Sequence, residues 1–279
     1  MEPPTERIPA IVLTYDCNRP FTEHMIAKYT NLWPDHPFEF RVPFQERETI
    51  ASPTALPVLA PEGIRASVLT LCEKLEDQQW IYWCIDDKYP INLDFAWSKK
   101  LVQFIRSGKS EDVDGLCACR ARGLKGPLAL RTGRFGLYET SVLPNLGVFF
   151  RRRNYSQIWL HQFLRVRVLR HLFESLPGNV TGAKKLDEIK DRIQLPENHR
   201  IFVSRVSHID FGESASRGFV TQNCLTSMRA NNIEYCEPRN GAAPPIMIEG
   251  VKKGSWLRSP LRESRDALST WVASCGFLD

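Results

Sequence analysis

Two stretches decide how this chain folds: Ile8-Pro9-Ala10-Ile11-Val12-Leu13-Thr14-Tyr15-Asp16 and Trp80-Ile81-Tyr82-Trp83-Cys84-Ile85-Asp86-Asp87-Lys88. Each is a short apolar run, rich in β-branched and aromatic residues, that stops abruptly at carboxylates. Runs of this length without polar alternation read as strands buried on both faces, as in a parallel sheet. Between them, Phe21, Met25, Ile26, Tyr29, Leu32 and Trp33 recur at helical spacing, and Trp33-Pro34-Asp35-His36-Pro37 ends that helix because proline cannot continue it. Phe38–Phe44 reads as a second strand, and the three prolines of 53–61 as a loop. Ile64, Val68, Leu71, Cys72 and Leu75 mark another helix, and Phe95, Trp97, Leu101, Val102 and Ile105 the one after the acidic pair. Alternating strands and helices predict an α/β fold around a mainly parallel sheet.

Further on, strands are expected over 113–120, 137–142, 147–150 and 201–207, a long helix over 155–173 and a late one over 216–231. Leu261, Leu268, Trp271, Val272 and Cys275 suggest a terminal amphipathic helix. This divides the chain into a main domain, 1–235, and an extension, 236–279, that packs on the domain or on a second subunit.

Composition narrows the function classes. The 279 residues are 43% hydrophobic and 25% charged, with a net charge of +5, an ordinary globular balance. There is no apolar run of membrane-spanning length and no apolar stretch of signal-peptide length behind the first residues, so a cytoplasmic protein is expected. Eight scattered cysteines are read as reduced and mostly buried. Cys117 and Cys119 lack the paired spacing of a zinc site. Arg151-Arg152-Arg153 with Arg165, Arg167 and Arg170 is the one concentrated positive region, either a solvated helix face or a site for phosphate. No motif supports sequence-specific nucleic-acid binding.

In open α/β sheets ligands bind beyond the carboxyl ends of the strands. Asp16 and Asp86-Asp87 stand at two such ends, and carboxylates sharing a crevice call for an offsetting cation or donor, such as a hard divalent ion gripping a diphosphate. A chance acidic turn would look the same. No Gly-x-Gly-x-x-Gly, Walker loop or Gly-x-Ser-x-Gly is present, so phosphate has to be held by metal and side chains.

Thr14-Tyr15-Asp16, Leu32-Trp33-Pro34-Asp35 and Trp80–Ile85 with Asp86-Asp87 together resemble glycosyltransferases of the GT-A fold, in particular little-characterised bacterial and viral GT-A-like proteins. Tyr155-Ser156-Gln157-Ile158-Trp159 and Phe211-Gly212-Glu213-Ser214 resemble further segments of that group. The resemblance implies transfer of a sugar from a nucleotide-sugar donor to a glycan or lipid-linked acceptor, with Mg²⁺ or Mn²⁺ across the diphosphate. It puts the metal at Asp87 and Asp86, the nucleoside at Thr14 and Asp16, and the pyrophosphate within reach of Arg65. Asp-Asp-Lys departs from Asp-x-Asp, and Lys88 itself is placed to neutralise phosphate. His208, closing the late strand, is a candidate metal ligand or simply hydrogen-bonded. Asp187 or Glu188 is the candidate base for an inverting reaction, or else part of a solvated acidic turn. Tyr138, Trp83 and Trp159 are candidate stacking residues, with core as the alternative. Rival readings are a nucleotidyltransferase of sugar metabolism and a GT-A-shaped scaffold without catalysis. A homodimer and a peripheral membrane contact are both compatible with the sequence.

Overall fold

The computed structural model describes residues 7–120, 137–216 and 219–235. In chain order the first half runs β1 (Ile8–Leu13), a single 3₁₀ turn (Asp16–Asn18), α1 (Arg19–Leu32), β2 (Phe38–Phe44), β3 (Ala55–Leu59), α2 (Ile64–Leu71), β4 (Trp80–Ile85), β5 (Lys88–Leu93) and α3 (Phe95–Arg106). The second half runs β6 (Gly115–Arg120), β7 (Leu137–Leu143), β8 (Gly147–Arg152), β9 (Gln162–Arg165), α4 (Val166–Glu174), α5 (Ala183–Ile189), β10 (Ile201–Ser204), β11 (Ile209–Glu213), β12 (Ala215–Ser216), β13 (Phe219–Val220) and α6 (Gln222–Ala230).

The central sheet has the order β3-β2-β1-β4-β9-β6-β10-β8-β7. All its strands run one way except β9 and β8, so this is a mixed α/β domain on a mainly parallel sheet, as the sequence predicts. From β1 the chain builds outward through β2 to β3, then crosses back to lay β4 on the other side of β1. The order therefore reverses between β1 and β4, and ligand crevices form beyond the strand ends at such a switch point.

Every residue of β1 and of β4 is buried because the sheet is covered on both faces. On one face α1, α3 and α6 pack Met25, Tyr29, Trp97, Leu101 and Met228 against Tyr82 and Phe38, whose rings stack at 4.3 Å. On the other, α2, α4 and α5 pack Val68, Leu169, Phe173 and Leu186 against Trp83 and Ile81. Trp83 is thus core and carries no stacking role.

Three expectations are corrected. Residues 53–61 include strand β3 despite Pro57; β3 pairs with β2 alone, and an edge strand tolerates a missing N–H. The expected helix over 155–173 is a turn segment, strand β9 and helix α4. Gln162–Arg165 slots antiparallel between β4 and β6, with Phe163 opposite Tyr82. Its apolar residues satisfy either period, and four residues are too few to show alternation. Gly115 makes that insertion possible, since a Cβ there would sit 2.8 Å from Leu164 Cδ2. The late helix begins only at Gln222, after the β12–β13 hairpin, where Thr221 caps it by accepting from the Cys224 N–H.

Arg153 is exposed, and the other arginines of the cluster are engaged with the protein's own carbonyls and carboxylates. Arg152 is buried and donates to Gln162 Oε1 and the Asn154 carbonyl. Arg151 pairs with Glu139. Arg165 donates to the carbonyls of Val113, Gln78 and Ser110, and Arg170 to those of Cys72 and Leu75. Arg167 binds Asp114, which also accepts the Arg200 N–H at 2.8 Å. These guanidinium groups tie loop carbonyls that no ladder reaches. Among the described residues no helix is long and apolar enough to cross a membrane. The expected terminal helix, the extension 236–279 and the Tyr138 side chain lie outside the described residues.

Candidate functional site at the β1–β4 switch point

The two strand ends meet. Leu13 lies opposite Ile85, and the Asp86 N–H donates to the Leu13 carbonyl at 3.2 Å. The chain then turns at once into β5, which leaves the main sheet and pairs antiparallel with β11, setting Lys88 opposite Glu213. The Ser214 N–H donates to the Asp87 carbonyl at 2.7 Å. The late Gly-Glu-Ser segment thus stands directly over the acidic pair.

Asp86 is 8% exposed, and its Oδ2 finds no hydrogen-bond partner. Burial pushes its carboxyl up to about 7, against the pull of the nearby Thr14 hydroxyl and Asn18 side chain, with the Asp87 charge adding to the rise. Lys88 is only 7% exposed. Its Nζ lies 3.2 Å from Glu213 Oε1 and 3.9 Å from Asp87 Oδ1, so one ammonium stands between two half-exposed carboxylates.

A buried hydrogen-bond chain holds the end of β4. The Ile85 carbonyl can only accept, so His161 Nε2, at 2.9 Å, carries the proton. His161 Nδ1 then accepts from Tyr29 Oη at 2.7 Å, and Tyr29 accepts from Tyr82 Oη at 2.8 Å. Burial lowers His161 to about 3, which keeps the ring neutral as this chain requires. Sequence reasoning missed His161, because nothing local separates it from any other histidine in an apolar run.

Asp16 faces inward. Its Oδ2 accepts the backbone N–H groups of Gln45, Glu46 and Arg47 at 3.1, 2.8 and 3.0 Å, and its Oδ1 accepts from buried Arg19 at 3.0 Å. Partial burial would raise its carboxyl, but the three amides and Arg19 hold it below the usual range. Asp16 is therefore the clamp that fixes the loop after β2. Thr14 is buried and shares a 2.8 Å hydrogen bond with Thr22. Arg65 donates to the Phe173 carbonyl at 3.1 Å and so bridges α2 to α4.

His208 is not in this group. It flanks the far end of the β5–β11 ribbon, where Ile209 pairs with Leu93, on the order of 17 Å from Lys88 at about 3.4 Å per residue. Its ring stacks on Trp97 at 3.8 Å, with Nδ1 3.6 Å from Asp94 Oδ2. The expected strand stops at Ser204, so His208 falls in the link to β11 and is engaged by Trp97 and Asp94 instead of the acidic pair.

Asp187 and Glu188 are exposed, in the last turn of α5. Asp187 accepts from Trp159 Nε1 at 2.6 Å and pairs with Lys190 at 3.0 Å. Helix α5 packs through Leu186 on the Trp83 face, whereas Tyr89 of β5 packs on the Tyr82 face. The two candidate bases and the Lys88–Glu213 pair therefore belong to opposite faces of the sheet.

Among the described residues no three His, Cys, Asp or Glu side chains converge as a metal site. A divalent ion fits only in the form that takes one or two carboxylates and completes its shell with substrate phosphate oxygens. The orphaned Asp86 oxygen matches that form.

No protein-family model matches the chain, and no curated protein matches it. Solved structures overlap it weakly. A fragment of TarS from S. aureus shares 14% identity over 74% of this chain, with a TM-score of 0.37; the chain spans 59% of that fragment's length. The 2-C-methyl-D-erythritol 4-phosphate cytidylyltransferase IspD of Francisella tularensis shares 14% over 81% of this chain and 99% of its own, at 0.37. The galactosyltransferase LgtC, in complex with donor and acceptor sugar analogs, shares 11% over 98% of this chain and 97% of its own, at 0.36. Overlaps this weak do not establish a shared fold. What the structure itself shows is an acidic pair and a buried lysine gathered at the switch point, with Glu213 brought onto that lysine.

Proposed function

We propose that this chain is a glycosyltransferase of the GT-A type that moves a sugar from a nucleotide-sugar donor to a hydroxyl of a glycan or glycolipid. The observation that carries the reading is the placement of Asp86, Asp87 and Lys88 beside the end of β1 at the point where strand order reverses. The sequence has no glycine-rich phosphate loop, so a diphosphate there is held by charge on side chains.

The donor's nucleoside lies along Thr14-Tyr15 and the loop that Asp16 clamps, which makes Asp16 a positioning residue. Asp87, with Asp86 behind it, would hold Mg²⁺ or Mn²⁺, which supplies neutralisation of the diphosphate leaving group when bound. Lys88 turns from Asp87 to a phosphate oxygen. His161 keeps the carbonyl of Ile85 fixed and thereby aims the next two side chains. The course would be inverting, a single in-line attack of the acceptor oxygen on the anomeric carbon with a carboxylate taking its proton.

The test is release of nucleoside diphosphate from a panel of UDP-, GDP- and dTDP-sugars, and of CMP from CMP-sugars, by the purified chain. Release from one class, lost in D87A, supports the proposal. Pyrophosphate release from a nucleoside triphosphate plus a sugar phosphate, with no action on nucleotide sugars, would make it a nucleotidyltransferase. Neither activity would leave the scaffold reading.

A further inference from the structure

Next to Lys88 a second cleft opens, of about 540 Å³, between the β5–β11 ribbon and helix α6. Its walls include Tyr89, Ile91, Glu213, Asn223, Thr226 and Ser227. The Tyr89 ring is 98% buried by the close approach of Gly212, where a Cβ would sit 2.5 Å from the ring. Its hydroxyl lies at the cleft, and no hydrogen bond to a described residue uses it. Ile91 presents an apolar side chain that is 51% exposed. Ser227 is fixed from behind by fully buried His24, Nε2 to Oγ at 2.9 Å. Burial lowers His24 to about 4, so the imidazole stays neutral and the pair carries no charge.

A pyranose offers an apolar C–H face and a rim of hydroxyls that both donate and accept. A cleft that combines one exposed aliphatic side chain with a phenol, two hydroxyls and an amide answers that pattern, and Glu213 borders it with its carboxylate turned to Lys88. Glu213 belongs to this cleft and to the switch-point group at once. Laid end to end, its contact with Lys88 and that of Lys88 with Asp87 leave the two carboxylates at most about 7 Å apart.

The geometry points to this cleft as the acceptor subsite, holding a pyranose unit of a glycan, and to Glu213, not Asp187 or Glu188, as the carboxylate that takes the acceptor's proton. The inference rests on the transferase reading. In the step, the acceptor O–H bond breaks and its proton goes to a Glu213 carboxylate oxygen. The acceptor oxygen bonds to the anomeric carbon, and the bond from that carbon to the phosphate oxygen breaks, its electron pair leaving on the nucleotide. Asp187 cannot serve an acceptor seated here, since it lies with α5 on the opposite face and is held by Trp159 and Lys190.

The experiment is saturation-transfer NMR on the full chain with methyl glycosides of glucose, galactose and N-acetylglucosamine in both anomeric forms. At least one glycoside is expected to bind the wild type. Thr226→Trp, at an exposed helix position, fills the cleft and should abolish that signal while melting within a few degrees of wild type. E213Q should bind the same glycoside within about threefold yet lose about 100-fold or more in transfer to it, the size of a missing general base. No glycoside binding, binding that survives Thr226→Trp, or near wild-type transfer by E213Q would overturn the proposal. If glycosides bind in the cleft but no nucleotide sugar is turned over, it is the transferase reading that fails, not the saccharide site.

Discussion

Replacing Asp16 with alanine is the sharpest structural test of the site. The wild-type carboxylate collects three backbone N–H groups on one oxygen and the buried Arg19 on the other. Hydrogen bonds to a charged group contribute about 1.5–3 kcal/mol each, but Glu46 and Arg47 are exposed enough for water to replace part of theirs. Arg19, fully buried, loses its ion-pair partner, and stripping one member of a buried pair costs about 3–5 kcal/mol. These effects overlap, so about 3–5 kcal/mol is expected in total. Because the folded carboxyl titrates below its unfolded value, near 3.9, its contribution is complete above that pH and is lost as pH falls through the folded value. Urea unfolding of wild type and D16A from pH 8 to pH 3 should therefore show a constant gap down to about pH 4.5 and a narrowing gap below it. A loss under about 1 kcal/mol at neutral pH, indifferent to acid, would refute the clamp.

Asp86 should behave in the opposite sense. Its raised carboxyl makes the folded state bind the proton more tightly, so wild-type stability falls as pH rises from about 4 towards 7; D86N should be the more stable protein at pH 8 and lose that advantage by pH 4. Asp114, 2% exposed in its side chain among Arg165, Arg167 and the Arg200 amide, should cost about 3–5 kcal/mol as D114A by chemical denaturation. H208A removes a ring stacked on Trp97 and should lower stability by about 1 kcal/mol without changing nucleotide or Mn²⁺ affinity in calorimetry. Cys17 is the one exposed cysteine among the described residues, and partial burial of the thiol together with the Asp86 charge raises its pKa. Its alkylation by iodoacetamide, mapped by mass spectrometry, should be slow at neutral pH, faster in D86N, and blocked by a bound nucleoside diphosphate.

The strands that carry the site were legible because they are continuous apolar runs with a sharp acidic end, a local signal. β1 and β4 come out as read, and a parallel sheet brings such ends together. What the sequence hides is pairing at a distance. Lys88 and Glu213 are 125 positions apart, and neither neighbourhood marks the other, so Glu213 reads only as part of a turn. Strand β9 is hidden for the converse reason: it is short, and the helix after it shares its apolar pattern. His208 and the arginine cluster mislead because residue type suggests chemistry, while burial and direction assign them to packing and to loop carbonyls. Asp16 is a milder case, since its position at a strand end is right and its carboxylate is spent on backbone amides.

The central claim is that Asp86, Asp87 and Lys88 at the β1–β4 switch point hold the diphosphate of a nucleotide. The most direct measurement is a thermal-shift panel of UDP, GDP, CMP and dTDP with and without Mn²⁺, on wild type and D87A. A nucleotide at about 100 times its Kd contributes about 2.7 kcal/mol, a clear rise in Tm. One nucleotide should stabilise the wild type, most strongly with Mn²⁺, and the effect should vanish in D87A. No shift from any nucleotide, or a shift that D87A leaves intact, would contradict the account.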